Sequence, residues 1–212
     1  MPKLDHLTVI APSLEEGVAH IRSCLGVDIA FGRKHAHMGT HNHLLCLGDG
    51  IYLEVIAIDE DAPRIAGPRW FGLDDRAGVR KAWDAGKRLR GWVASTDHFE
   101  RHMAEHASSY GERRQFQGGT SSYFFSVPMD GALPLDGVAP SLIDRQGQRP
   151  SLPPEAQRGC SLLSFAIEHP DAMKTEGLYR ALNIVGSPAV VQAEVFRYTA
   201  TIQTPAGVRV LT

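Results

Sequence analysis

The chain has 212 residues, 43% hydrophobic and 22% charged, with a formal net charge of -2. That length suits one large domain or two small ones with a core of ordinary composition. The charge balance and the lack of a basic stripe argue against nucleic acid as a partner. No apolar run approaches the roughly 18 residues that span a bilayer, so no membrane partner is expected either.

The opening stretch MPKLDHLTVIAP has no long apolar region and no small-residue cleavage site, unlike a signal peptide. Within it LDHLTVIAP alternates and is rich in branched residues, which predicts a strand. SLEEGVAHIRSCLG predicts a helix. Ser13 and Glu16 form a capping box, Leu14, Val18, Ile21 and Leu25 share one face, and Gly26 is the stop. VDIAFGR, THNHLLCLG and IYLEVIAID read as strands, the last two joined by the turn GDG. The order to residue 60 is thus βαβββ. Residues 61–87, with prolines, charges and two tryptophans, read as a long connection with one short helix.

From residue 88 to 148 the order recurs: LRGWVAST as a strand, DHFERHMAEHA as a helix, then ERRQFQ, SYFFSVP and PSLIDRQ as strands. After a Pro-rich bridge at 149–159, residues 160–212 give CSLLSFAIEHP, DAMKTEGLYRALNIVG, AVVQAE, FRYTATIQT and GVRVLT, again strand, helix and three strands. The fold class is α+β, built of βαβββ modules repeated up to three times. Cys24, Cys46 and Cys160 are an odd number without a CxxC spacing, each in an apolar neighbourhood. They read as reduced thiols of a cytoplasmic protein.

Two residues stand out on the polar face of their strands. In LDHLTVI, Leu7 and Val9 point one way and His6, Thr8 and Ile10 the other. In YLEVIA, Leu53 and Val55 face one side and Tyr52, Glu54 and Ile56 the other. An imidazole nitrogen and a carboxylate oxygen suit zinc, nickel, iron or manganese. A plain His–Glu hydrogen bond, or a glutamate facing an open groove, is the other reading. A carboxylate flanked by Leu53 and Val55 is costly to bury without a partner.

His35, His37, His41 and His43 crowd into nine residues. If the GDG turn pairs Cys46 with Tyr52, Leu44 falls opposite Glu54, Asn42 shares the side of Glu54, and His41 and His43 face away. His35 and His37 lie on the approach to this strand, as substrate contacts or as solvated groups. In PRWFGLD, Arg69 can clamp a carboxylate or phosphate, and Trp70 and Phe71 can form an apolar wall or anchor the connection. Trp92, inside a strand, is groove wall or core. No GxSxG, P-loop or strand-linked GxGxxG occurs.

The pieces LDHLTVIAPSLEEGV, HAHMGTHNHLLCLGDGIYLEVIA and RWFGLD resemble a bacterial glyoxalase-like branch of the vicinal oxygen chelate superfamily, which holds glyoxalases, bleomycin-resistance proteins and extradiol dioxygenases. The resemblance implies one glyoxalase-like domain in which two modules pair into a curved mixed sheet, helices on its convex face and the ligand in its hollow. It leaves open whether the paired unit is module two, module three or one from a second copy in a homodimer. It implies His6 and Glu54 as ligands of a divalent metal (Zn, Ni, Mn or Fe) and as catalytic residues, with Glu54 as a base if the metal is absent. Asn42, Arg69, Trp70, Phe71 and Trp92 would hold a small oxygenated substrate. The activity implied is that of a lyase, isomerase or dioxygenase, or else non-catalytic sequestering of a small molecule. Superposing the modules puts Gly91 or Ser164 opposite His6, and Asp144 or an apolar residue of GVRVLT opposite Glu54, so a full second set of ligands is lacking.

Overall fold

The computed structural model describes residues 1–105, 107–118 and 121–212. The first unit comprises β1 (Lys3–Ile10), α1 (Leu14–Leu25), β2 (Ala30–His35), β3 (Thr40–Cys46) and β4 (Tyr52–Ile58). The connection carries α2 (Arg76–Asp84). The second unit comprises β5 (Leu89–Ser95), α3 (Phe99–Glu105), α4 (Ala107–Tyr110), β6 (Glu112–Gly118), β7 (Ser121–Val127) and β8 (Ser141–Asp144). The third comprises β9 (Ser161–His169), α5 (Ala172–Leu182), β10 (Ala189–Gln192), β11 (Arg197–Thr204) and β12 (Gly207–Leu211).

Local chemistry sets these boundaries. The Ser13 hydroxyl accepts from the Glu16 amide and donates back to the Glu16 carboxylate, closing the capping box of α1. Gly26 ends the helix with φ of 69°, a left-handed conformation that glycine adopts without steric cost. The turn between β3 and β4 gives Leu44 opposite Glu54 and Cys46 opposite Tyr52, the register expected from its length.

The first two units form one curved sheet of eight strands in the order β2-β3-β4-β1-β5-β8-β7-β6. In each unit the first strand lies parallel to the fourth, β1 with β4 and β5 with β8. The units meet through the antiparallel pair β1 and β5, so the hollow is closed within a single chain. The third unit is wound differently. Its strands form a separate sheet in the order β10-β9-β11-β12, where β9 pairs parallel with β10 and antiparallel with β11. The third stretch therefore repeats the order of elements but not their pairing. After α5 the chain returns directly beside its first strand, whereas in the other units it returns to the sheet edge and works inward.

The convex face is dry. Leu7, Val9, Leu45, Leu53 and Val55 share a core with Ile21 and Leu25 of α1. The helix approaches closely because residue 17 is glycine; a Cβ there would sit within 2.4 Å of Val55 Cγ1. Behind the second unit the third sheet takes over. Trp92 packs edge-on against Phe165 and Tyr179 and is buried in this core. It lies on the convex side and is no part of the hollow, because the β5 residue that points into the concave side is Val93. The concave face is half filled by the 61–87 connection, whose Trp70, Phe71 and Leu73 join Ile10, Ile56, Val93, Phe125 and Ile143 in a second core.

Candidate functional site

The unfilled part of the concave face is a hollow of about 690 Å³, counting its open mouth. His6, Asn42, Glu54, Tyr52 and His35 line its first-unit half, and Tyr123, Phe125 and Ile143 its second-unit half. Trp70 and Phe71 reach in from the connection, and the loop from Gln148 to Leu152 borders the rest. His6, Asn42 and Glu54 thus converge, as their strand faces suggest.

At the floor runs a chain of polar contacts. The Glu54 carboxylate accepts a hydrogen bond on Oε1 from Asn42 Nδ2 at 2.6 Å, and its Oε2 lies 3.5 Å from His6 Nε2. The opposite ring nitrogen of His6, Nδ1, lies 2.6 Å from Asp5 Oδ1. Arg145, the first residue beyond β8, donates to both oxygens of Asp5 at 2.6 Å and to the Tyr52 hydroxyl at 2.9 Å. Tyr52 completes the cage by stacking on His6, with ring centroids 4.4 Å apart. Asp5, His6 and Glu54 are 4%, 3% and 6% exposed, so this is an ionic network in a largely dry setting.

Burial and pairing pull on each group in opposite senses, and pairing wins. Burial pushes the Asp5 carboxyl up, but the hydrogen bonds from Arg145 and His6 bring it down to about 2. Burial works against a charged His6, yet its hydrogen bonds to Asp5 and Glu54 raise its pKa above the usual imidazole value. Burial likewise opposes ionisation of Glu54, and His6 outweighs it, so the carboxyl titrates below its ordinary value. The pairing thus favours the charged form of each of the three groups, with Arg145 balancing Asp5. His35 behaves differently: burial holds it down at about 4, so it is a neutral imidazole beside the same hollow.

Asp5 and Arg145 are the site residues that sequence reasoning misses. Strict alternation puts Asp5 on the opposite side from His6. A bulge between Leu4 and His6, whose partners on β5 are the adjacent Ala94 and Val93, leaves Asp5 unpaired and turns it toward the His6 ring. Asn42 is aimed by a simpler device. Its Oδ1 accepts from the Arg33 amide at 2.9 Å, which leaves the amide nitrogen for Glu54. Gly32 makes room for it, since a Cβ there would fall within 2.2 Å of that oxygen.

The other expected residues divide. Trp70 donates to Thr40 Oγ1 at 3.2 Å and meets His35 edge-on, with centroids 5.1 Å apart. Phe71 adopts a left-handed backbone, φ 60°, which costs a non-glycine residue about 1–2 kcal/mol and is held by tight packing. Both serve as wall and anchor together. Arg69 does not line the hollow. Its guanidinium is bound to Asp74 at 2.6 Å and reaches the Gly39 carbonyl at 3.4 Å, so it fastens the connection to the β2–β3 turn. His43 faces away and pairs with the Ile29 carbonyl at 2.9 Å. His37 is exposed on the β2–β3 turn.

The donor set does not fit a complete metal centre. A 3.5 Å separation of Nε2 and Oε2 suits two ligands of one ion. Among the described residues, however, no group of three or more His, Cys, Asp or Glu side chains can hold one. Catalytic zinc sites use three protein ligands and structural ones four. The second-unit positions that face His6 and Glu54 carry apolar groups. Val93 pairs with His6, and Ile143 is the inward residue of β8. Gly91 stands opposite Thr8, and Asp144 accepts from the Gln146 amide in the turn that follows.

The model of the glyoxalase-like domain family matches residues 4–183. Among solved structures, a hypothetical protein from Staphylococcus aureus shares the fold with a TM-score of 0.62 at 10% identity, covering 96% of this chain and 92% of that one. A variant of methylmalonyl-CoA epimerase from Streptomyces coelicolor, in complex with 2-nitronate-propionyl-CoA, gives a TM-score of 0.42 at 17% identity over 70% of this chain and 97% of its own. Methylmalonyl-CoA epimerase from Mycobacterium tuberculosis gives 0.41 at 15% identity over 70% and 87%. No curated protein matches the chain.

Proposed function

The chain belongs to the glyoxalase-like domain family, and from that premise we propose that it is an enzyme that moves a proton on a small oxygenated substrate held in the hollow. The observation that carries this reading is the buried Asp5–His6–Glu54 chain, which ends at the hollow in a carboxylate. Glu54 is the base. Its Oε1 is held by Asn42, and Oε2 is the oxygen with the looser partner. Glu54 Oε2 takes a proton from the carbon beside a carbonyl, and the electron pair moves onto the carbonyl oxygen as an enolate. His6, fixed by Asp5 at Nδ1, keeps Nε2 toward Glu54 and balances its charge. Asp5 and Arg145 touch no substrate; they position His6. Return of the proton to the same or the neighbouring carbon gives an isomerase, and loss of a group from the next carbon gives a lyase.

A metal-dependent version would place the ion on His6 and Glu54, but the remaining ligands are not supplied by this chain's described residues, and no step is assigned to it. A dioxygenase needs such an ion. Metal content of protein purified without chelator decides this point. We expect less than about a tenth of an equivalent of Zn, Ni, Mn or Fe, and a value near one would restore the metal reading.

The proton transfer itself is tested by incubating the protein in D2O with small 2-oxo acids, dicarbonyls and hydroxyketones and following C–H to C–D exchange by NMR. Glu54→Gln should lower exchange about 10²- to 10⁴-fold, and because it also takes the facing carboxylate from the buried His6 it should cost some stability, so exchange is compared at a temperature where both proteins are folded. A second reading, a non-catalytic protein that sequesters a small molecule, draws on the apolar second-unit half of the hollow. It is the one left standing if no compound exchanges.

A further inference from the structure

We propose that the ligand of the hollow is a small organic carboxylate with a flat apolar body, its anionic end bound by Arg33 and Arg149 at the mouth. The proposal rests on the reading of this hollow as the substrate site and adds its specificity. Glu54 is the sole acidic side chain among the residues lining the hollow, while Arg33, Arg145 and Arg149 line it as well. Two of these charges are already answered. Arg145 is spent on Asp5, and Glu54 faces His6. Among the described residues neither Arg33 nor Arg149 forms an ion pair. Arg33 is tied only through Nη2, to the Ser151 carbonyl at 2.9 Å, which ties β2 to the loop that carries Arg149. An anion entering there meets two guanidinium groups that lack an ion-pair partner, Arg33 half-buried and Arg149 exposed at the rim, each able to make charge-assisted hydrogen bonds to it.

The body of the ligand is set by the facing wall. Trp70, Phe71, Tyr123 and Phe125 line one continuous side, with Trp70 5.4 Å and Phe71 5.7 Å from Phe125, centroid to centroid. Such a wall takes a flat ring or a planar conjugated chain by edge and offset contacts. The carboxylate end at the rim and the ring against the wall leave the linking carbons over Glu54 Oε2, where the reaction proposed above needs its C–H. Phosphate esters share the anionic chemistry. A carboxylate is favoured because no helix N-terminus or glycine-rich turn adds backbone N–H groups to the lining, which are the usual means of holding three phosphate oxygens.

The test is calorimetric titration with 3-phenylpropionate, 3-phenylpropanamide and 2-phenylethyl phosphate, on the intact chain and on Arg33→Gln, Arg149→Gln and Glu54→Gln. The proposal expects saturable binding of 3-phenylpropionate. It expects the neutral amide to bind at least about 10-fold more weakly, and each arginine variant to weaken the acid, but not the amide, by about 10-fold. Glu54→Gln should keep the acid bound as tightly or more tightly, since a negative charge is removed. Binding with no C–H exchange would therefore fault the catalytic reading alone. The proposal is overturned if the acid and the amide bind alike, if both arginine variants bind the acid as the parent does, or if only the phosphate ester binds.

Discussion

The two halves of the large sheet use the same order of elements and the same strand pairing, yet they furnish the hollow with opposite chemistry. β1 and β4 bring His6, Tyr52 and Glu54 inward, and β3 adds Asn42. The equivalent β5 and β8 bring Val93 and Ile143, and β7 adds Tyr123 and Phe125. Strand pairing is satisfied by backbone, so it leaves inward positions free to differ. One half presents the ionisable groups and the other an apolar wall. Arg145, from the second half, reaches Asp5 and Tyr52 from beyond the end of its strand.

Four experiments act on that asymmetry. The largest effect is expected from Ile143→Glu, which puts a carboxylate into the apolar half with no His6 beside it. About 4 kcal/mol of stability should be lost at pH 7 by urea unfolding, with much of it regained near pH 4 as the group takes up a proton. A loss below about 1 kcal/mol would mean that both halves tolerate charge alike. Next, Arg145→Met leaves Asp5 buried with only His6 as its cation, and about 3 kcal/mol should go. Adding Asp5→Asn to that variant should recover part of the loss. If the double variant is instead worse than the single by the full cost of Asp5→Asn, the two residues act independently.

The third concerns acid. The Asp5 carboxyl falls from 3.8 to about 2 on folding. Its contribution is therefore present above about pH 4 and disappears as pH falls toward 2, amounting to about 2.5 kcal/mol. His6 has the opposite sign. Its pKa is raised in the fold, so its share is present below its ordinary 6.5 and is lost as pH rises through the folded value. Melting temperature against pH should show a steep acid limb in the parent that is shallower in Asp5→Asn. Equal limbs would place the acid sensitivity elsewhere. The smallest effect is expected from Gly32→Ala, which crowds Asn42 Oδ1 and should cost about 1–2 kcal/mol while lowering exchange by Glu54. Unchanged exchange would mean that Asn42 does not steer the base.

Much of this was legible in the residues. The capping box of Ser13 and Glu16, the Gly26 stop and the register through the GDG turn follow from local rules, and with them the convergence of His6, Asn42 and Glu54. Asp5 was not legible, because a one-residue bulge breaks the alternation on which face assignment depends. Arg145 was not, because the groups it meets, Asp5 and Tyr52, lie 140 and 93 residues away in sequence. Arg69 sits in a suggestive aromatic segment, but Asp74 five residues on claims its charge first. Trp92 falls on the convex side by simple alternation with Val93, once the direction of β5 is known. The third unit shows a broader limit. Its order of elements matches the others, and only the pairing of β9 with β10 reveals a different fold.

The bulge at Asp5 also dictates which genetic changes the relay can survive. Point substitutions along β1 keep its count of residues, so they leave Asp5 turned toward the His6 ring and alter one side chain at a time. Loss of a single codon there would rephase everything upstream by one face, separating the carboxylate from its ring at once. A one-residue deletion in β1 should therefore abolish the Asp5–His6 contact outright rather than weaken it by degrees.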